Sequence, residues 1–173
     1  MSAPDEQTRM NTHQLTHIGI CVSELERSVQ FYRDVLGFEE VSRLQMQGAI
    51  TERLLDIAGG ELQAVYLKLG GTVIELLYYP AAGHIAVDVP RPMNRLGLSH
   101  ISLTVADPDA VAQAIAHSGG TILEQTRFAH EGVTRALFVT DPDGMRIGYY
   151  TPAEYAETPR ATRVRTTSSR RSC

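Results

Sequence analysis

The segment Thr16–Val22 reads THIGICV, and the segment Ser99–Val105, much further along the chain, reads SHISLTV. In each segment a hydroxyl residue precedes His-Ile, and a valine follows five residues after the histidine. Alternate residues of a strand point to opposite faces, so the isoleucines are expected to pack in a core and His17 and His100 to lie on the other face. The repetition predicts two equivalent strands, each with a histidine available for chemistry.

The repetition extends beyond these two strands. Each is followed by an amphipathic helical pattern that ends at glycine, SELERSVQFYRDVLGF in the first half and DPDAVAQAIAHSGG in the second. Each half then closes with a strand of similar pattern, GTVIEL at 71–76 and GMRIGY at 144–149. Glu75 therefore corresponds to Gly148, as His17 corresponds to His100. The chain is predicted to be a duplicated unit of one strand, one helix and three strands.

Four stretches of the sequence resemble the vicinal oxygen chelate superfamily, which comprises glyoxalases, epimerases, extradiol dioxygenases and bleomycin-resistance proteins. They are THIGICVSELERSVQFYRDVLGFEEV, GGTVIELLYY, GLSHISLTVAD and VTDPDGMRIGYY. The resemblance implies an α+β fold in which two tandem βαβββ modules form an incomplete barrel around a central cavity. It also implies one divalent metal ion held between the two modules.

The domain organisation follows from the repeat and from changes in composition. The expected parts are a disordered N-terminus at 1–13, a first module at 14–80, a Pro-containing linker at 81–95, a second module at 96–151 and an Arg-rich disordered tail at 152–173. In the second module, strands are expected near 98–105, 121–128 and 133–140.

The hairpin that closes the first module places two side chains together. If Gly70 and Gly71 are the two loop residues, Leu69 pairs with Thr72 and the register brings Tyr66 opposite Glu75. Directly opposed side chains share a face of the sheet, so Tyr66 is expected beside Glu75.

Composition bounds the kind of protein. The chain has 173 residues and a formal net charge of −4, and it contains no long apolar run or hydrophobic N-terminal signal. A mildly acidic chain without a basic groove does not indicate nucleic-acid binding. We therefore expect a cytoplasmic protein that acts on a small molecule and binds neither nucleic acid nor membrane. A homodimer is also expected, because modules of this kind leave sheet edges that need to be covered.

His17, Glu75 and His100 are the candidate metal ligands. Two histidines at equivalent places of a duplicated unit, together with a carboxylate, suit one divalent ion of Zn, Ni, Co, Mn or Fe(II). By the resemblance, a fourth ligand would be a glutamate at position 148, where this chain has glycine. That departure weakens the analogy to the proton-transfer mechanism of the glyoxalases and epimerases.

Three functions remain open at this point. The first is a glyoxalase-like lyase or isomerase, in which the metal acts as a Lewis acid that stabilises an enolate of a substrate with vicinal oxygens. Glu75, Tyr66 and Tyr150 would then support proton movement, and Arg53 and Arg95 would bind the substrate. The second is a non-haem Fe(II) dioxygenase, and the third is a protein that sequesters a ligand without catalysis, as bleomycin-resistance proteins do.

Overall fold

A computed structural model describes residues 14–86 and 91–152 of the chain. The predicted disordered N-terminus lies outside the described residues, as do part of the linker and all of the tail beyond Pro152. The described residues form an α+β fold with two separate sheets, which confirms the predicted fold class. Among them, no helix has the length and apolar character required to span a membrane.

The contacts divide the chain into two compact units. The first unit contains the described residues up to Leu25 together with Gly37–His84. Its sheet has the strand order β1-β4-β3-β2. The strands are β1 (Ile18–Cys21), β2 (Glu39–Gln47), β3 (Glu61–Leu69) and β4 (Thr72–Tyr78), with helix α2 (Ala49–Leu55) between β2 and β3.

The β3–β4 hairpin has the predicted register. Leu69 pairs with Thr72 across Gly70-Gly71, and Tyr66 pairs with Glu75. Gly70 has a φ of 57°, a left-handed conformation that glycine adopts at little cost. The two-residue turn therefore fixes which side chains stand beside Glu75.

The second unit contains Glu26–Leu36 and the described residues from Ile85 onward. Its main sheet has the order β5-β9-β8-β6, and β7 also pairs with β8. The strands are β5 (Ile101–Thr104), β6 (Thr121–Ile122), β7 (Phe128–His130), β8 (Val133–Thr140) and β9 (Arg146–Tyr150). Its helices are α1 (Leu25–Gln30), which continues as a π-helix over Phe31–Val35, and α3 (Pro108–His117).

Polar contacts hold α1 in the second unit. The fully buried Tyr32 hydroxyl donates to Asp141 Oδ2 at 2.9 Å, and Arg27 forms an ion pair with Asp143. Asp141 also accepts the backbone N–H groups of Asp143 and Met145, at 2.9 and 2.8 Å, within the DPDG turn. Burial of the carboxyl raises the pKa of Asp141. A helix of the first sequence repeat thus packs against a turn of the second.

The single strand predicted over 121–128 is wrong. The chain forms the short β6, a 3₁₀ turn over Glu124–Thr126 and then β7. Thr126 explains the break, because its hydroxyl donates to Leu123 O at 2.7 Å and accepts the N–H of Phe138 at 2.9 Å. A side chain thereby replaces one rung of the ladder and ends the strand.

The two sheets repeat each other's register. In the first unit Gly19 of β1 pairs with Glu75 of β4, and in the second unit Ser102 of β5 pairs with Gly148 of β9. Both pairs are parallel and occupy equivalent positions in the repeat. The register confirms the sequence correspondence between Glu75 and Gly148.

Candidate active site

His17 and Glu75 form the polar centre of the first unit. His17 Nε2 lies 3.1 Å from Glu75 Oε2, and the carboxylate belongs to a residue that is only 7% exposed. Thr16 Oγ1 lies 3.1 Å from His17 Nδ1. The Thr16 hydroxyl can either donate to Nδ1 or accept from it, so the tautomer of the ring decides whether Nε2 meets Glu75 as an N–H donor or as a lone pair.

Tyr66 completes this centre. Its hydroxyl donates to Glu75, and this hydrogen bond raises the pKa of Tyr66 to about 12. The Tyr66 and His17 rings meet edge to face, with centroids 5.5 Å apart and planes at 86°. The phenol therefore stays protonated near neutral pH and remains a hydrogen-bond donor. The first unit brings together a carboxylate, an imidazole and a phenol, as the hairpin register predicted for Tyr66 and Glu75.

Tyr79 follows directly after β4, near enough to Glu75 for the carboxylate charge to act on the phenol. Burial raises the pKa of Tyr79, and the charges of Cys21 and Glu75 raise it further. The Tyr79 phenol therefore stays protonated near neutral pH.

His100 has an equivalent setting in the second unit. Ser99 Oγ lies 2.9 Å from His100 Nδ1, as Thr16 does from His17. The His100 ring meets Phe138 edge to face, with centroids 5.3 Å apart and planes at 89°. Phe138 thus takes the place that Tyr66 has in the first unit, without the hydroxyl.

Gly148 leaves room for that ring. It pairs directly with Phe138 across β8 and β9. A Cβ at position 148 would lie 2.9 Å from Phe138 Cε1, 3.1 Å from Ser102 Oγ and 3.2 Å from Tyr150 Cε2. In the second unit, Gly148 and Phe138 therefore stand where the first unit has the carboxylate and the phenol beside its histidine.

Arg146 is a residue of this face that the sequence analysis missed. It is 8% exposed, and its guanidinium carbon lies 5.6 Å from the centroid of the Phe138 ring. The sequence contained a signal, because residues 146, 148 and 150 of one strand share a face. It was overlooked because arginine is usually exposed.

The other predicted site residues lie as follows. Tyr150 ends β9, and its ring centroid is 6.5 Å from that of Phe138. Arg53 lies in α2 and Arg95 in the segment before β5, and both are exposed. Across residues 14–86 and 91–152, no group of three or more His, Cys, Asp or Glu side chains is arranged to hold a metal ion. Of the three predicted ligands, the structure brings His17 and Glu75 together, and His100 belongs to the other unit.

Comparison with known proteins gives the family. The model of the Glyoxalase/Bleomycin resistance protein/Dioxygenase superfamily matches residues 14–149. The chain belongs to this superfamily. The resemblance found in the sequence is thereby confirmed, and the match spans both histidine strands.

Two curated relatives illustrate the range of activities named among the superfamily members. A lactoylglutathione lyase of Haemophilus influenzae is 31% identical over 137 residues, which cover 79% of this chain and 90% of that protein. A catechol-2,3-dioxygenase of Bacillus subtilis is 30% identical over 155 residues, which cover 87% of this chain but 45% of the dioxygenase.

Solved structures share the superfamily fold. A glyoxalase family protein from Bacillus cereus superposes with a TM-score of 0.68 at 19% identity, covering 83% of this chain and 98% of that one. The trypanothione-dependent glyoxalase I of Leishmania major superposes with a TM-score of 0.61 at 22% identity, covering 86% and 93%. At these identities the likeness establishes the fold alone.

Proposed function

We propose that this superfamily member is a glyoxalase-like metalloenzyme, a lyase or isomerase that moves a proton on a small substrate with two adjacent oxygens. The observation that carries the proposal is the His17–Glu75–Tyr66 centre, in which a nearly buried carboxylate faces an imidazole at 3.1 Å and a phenol whose pKa is raised to about 12. Relatives named lactoylglutathione lyase support the same reaction class.

His17, Glu75 and His100 are the residues that would hold a divalent ion. Imidazole nitrogen and carboxylate oxygen are donor types for Zn, Ni, Co, Mn and Fe(II), and the 3.1 Å between Nε2 and Oε2 suits two donors of one ion. Such an ion would supply a Lewis acid that stabilises negative charge on a substrate oxygen.

The protein's own groups then divide the proton transfer between them. Glu75 is the proton acceptor, because it is the carboxylate of the centre, and Tyr66 donates a hydrogen bond to it throughout. Gly148 offers no second carboxylate, so the proton that Glu75 removes has to return from Glu75 or Tyr66. Tyr150 would support proton movement in the second unit, and Arg53 and Arg95 would bind the substrate.

The test is the interconversion of lactoylglutathione with glutathione and methylglyoxal, followed by the change in thioester absorbance. Glu75→Gln keeps the shape of the side chain and removes the base, so the rate should fall by about 100-fold or more. Tyr66→Phe should lower the rate less, because the carboxylate remains. His84→Ala, an exposed histidine outside the centre, is the control and should react as the wild type does. Equal rates in wild type and Glu75→Gln would remove Glu75 from the mechanism.

The dioxygenase relative supports one alternative, oxidation of a catechol-like substrate. Oxygen uptake with catechol by the iron-loaded chain distinguishes the two enzymes. Uptake without interconversion of lactoylglutathione would favour the dioxygenase. If the chain catalyses neither reaction but binds a ligand tightly, the result would favour sequestration.

A further inference from the structure

Arg146 is a buried charge that the proposed proton transfer does not use. It is 8% exposed, and within the described part of the chain it is the one arginine that is buried. Arginine is seldom buried this far without an acidic partner, because removing its charge from water costs several kcal/mol. No carboxylate of the described residues lies within ion-pair distance of Arg146. No acidic side chain in the part of the protein that the structure describes therefore compensates the charge.

The contacts of Arg146 leave most of its donors unused. Nη2 donates to the carbonyl oxygen of Arg91 at 2.8 Å, and the guanidinium lies over the Phe138 ring. The carbonyl and the ring compensate part of the charge, but a guanidinium has five N–H donors in a planar fork. Among the described residues, the other guanidinium nitrogens, Nε and Nη1, are not among the buried nitrogens that lack a hydrogen-bond partner. These donors therefore keep some contact with solvent.

Arg146 shares one face of the second sheet with aromatic side chains. Alternation along β9 puts Arg146, Gly148 and Tyr150 on one face, and Phe138 pairs with Gly148 on the neighbouring strand. His100 contacts the same Phe138 ring at 5.3 Å. Gly148 has no side chain, and Phe138 and Tyr150 approach closely the place that a Cβ would take there, so the two rings lie beside Arg146 on this face.

We propose that Arg146 and Phe138 form a carboxylate-binding subsite on the His100 face of the second unit. The planar guanidinium would donate two parallel hydrogen bonds to the carboxylate, and the apolar part of the ligand would lie against Phe138 and Tyr150. On the function proposed above, this subsite binds a carboxylate of the substrate and sets its orientation. The subsite itself needs neither a metal nor turnover.

A purely structural role for Arg146 makes a different prediction. The guanidinium of Arg91 binds the carbonyls of Leu96 and Leu98 at 2.6 and 2.8 Å, so the bond from Arg146 to Arg91 helps to hold the segment before His100. That role requires a single N–H donor. It gives no reason for a ligand to be selected by its negative charge.

The experiment is a titration of the full chain, freed of divalent ions by dialysis, with benzoate and with its uncharged isostere benzamide. Proton–nitrogen NMR follows the Gly148 amide and the Arg146 Nε–H. Benzoate should shift both signals and bind at least about 10-fold more tightly than benzamide, because a hydrogen bond to a charged group contributes that much. Arg146→Gln should weaken benzoate by a similar factor and leave benzamide unchanged.

A second variant of Arg146 keeps the test decisive if Arg146→Gln fails to fold, and a variant of Arg33 serves as the control. Arg146→Lys keeps the charge and loses the planar fork, so benzoate should bind several-fold more weakly than in the wild type. Arg33→Gln removes an exposed arginine of the same unit that is paired with Asp34, and it should change nothing.

Three results would overturn the subsite. They are equal binding of benzoate and benzamide by the wild type, equal benzoate binding by wild type and Arg146→Lys, and tighter binding of inorganic phosphate than of benzoate. None of these results bears on Glu75 or on bound metal. Conversely, loss of the catalytic proposal alone would leave the benzoate titration unchanged.

Discussion

Gly148→Ala tests whether the Phe138 ring is what excludes a side chain from the second unit. The added Cβ would lie 2.9 Å from Phe138 Cε1, whereas carbon atoms in good contact are about 3.5–4.0 Å apart. The ring must therefore shift by roughly 0.6–1 Å, against its contacts with His100 and Arg146. Overpacking of this kind costs about 1–3 kcal/mol, and the gain from replacing a strand glycine offsets about 0.5–1 kcal/mol. From the middle of each range, the net loss should be about 1 kcal/mol.

Urea unfolding followed by circular dichroism measures this loss, since the chain has no tryptophan to report by fluorescence. Gly71→Ala is the matched control, because nothing lies within 4 Å of a Cβ there and its φ is not in the left-handed region. In a Phe138→Leu background the penalty of Gly148→Ala should shrink by at least about 0.5 kcal/mol. An unchanged stability in Gly148→Ala, or the same penalty in both backgrounds, would refute the role given to Phe138.

Three further predictions concern buried phenols, alkaline pH and assembly. Tyr32→Phe should cost about 1–3 kcal/mol of unfolding free energy, because it removes the hydrogen-bond donor to Asp141. Tyr149→Phe removes a buried hydroxyl that has no partner in the described structure, so it should be neutral or stabilising. Equal losses of stability in urea unfolding of the two variants would contradict this. The hydrogen bond to Glu75 raises the pKa of Tyr66 to about 12. This hydrogen bond should therefore stabilise the fold fully below a pH of about 10, and its contribution should be lost between pH values of about 10 and 12. Tyr66→Phe should flatten the dependence of the unfolding free energy on pH over that range. Sedimentation equilibrium should give twice the chain mass of 19.0 kDa, and a monomer at all concentrations would exclude the homodimer.

The sequence contained enough to predict the first-unit centre. Gly70-Gly71 fixes the loop length of the hairpin, and loop length fixes register, so Tyr66 had to lie beside Glu75. The duplicated His-Ile pattern likewise fixed Gly148 as the counterpart of Glu75. These features depend on local turn geometry and on period-two alternation, which a sequence displays directly.

Other features depend on partners that are distant in the sequence. The packing of α1 in the second unit requires Asp141 and Asp143, more than a hundred residues beyond Tyr32 and Arg27. The break in the strand predicted over 121–128 requires the Thr126 hydroxyl to find two backbone groups. Neither partner is visible in periodicity, so the helix appeared to belong with its own repeat and the strand appeared continuous.

The metal set His17, Glu75 and His100 remains a prediction, and metal content measures it most directly. After dialysis against zinc and then against metal-free buffer, elemental analysis of the full chain should give about one ion per chain. Glu75→Gln and His100→Ala should each lower the metal content well below that value, because even indirect partners of a ligand change affinity by about 10 to 100-fold. His84→Ala should retain the ion. Equal metal content in all four proteins would contradict the account.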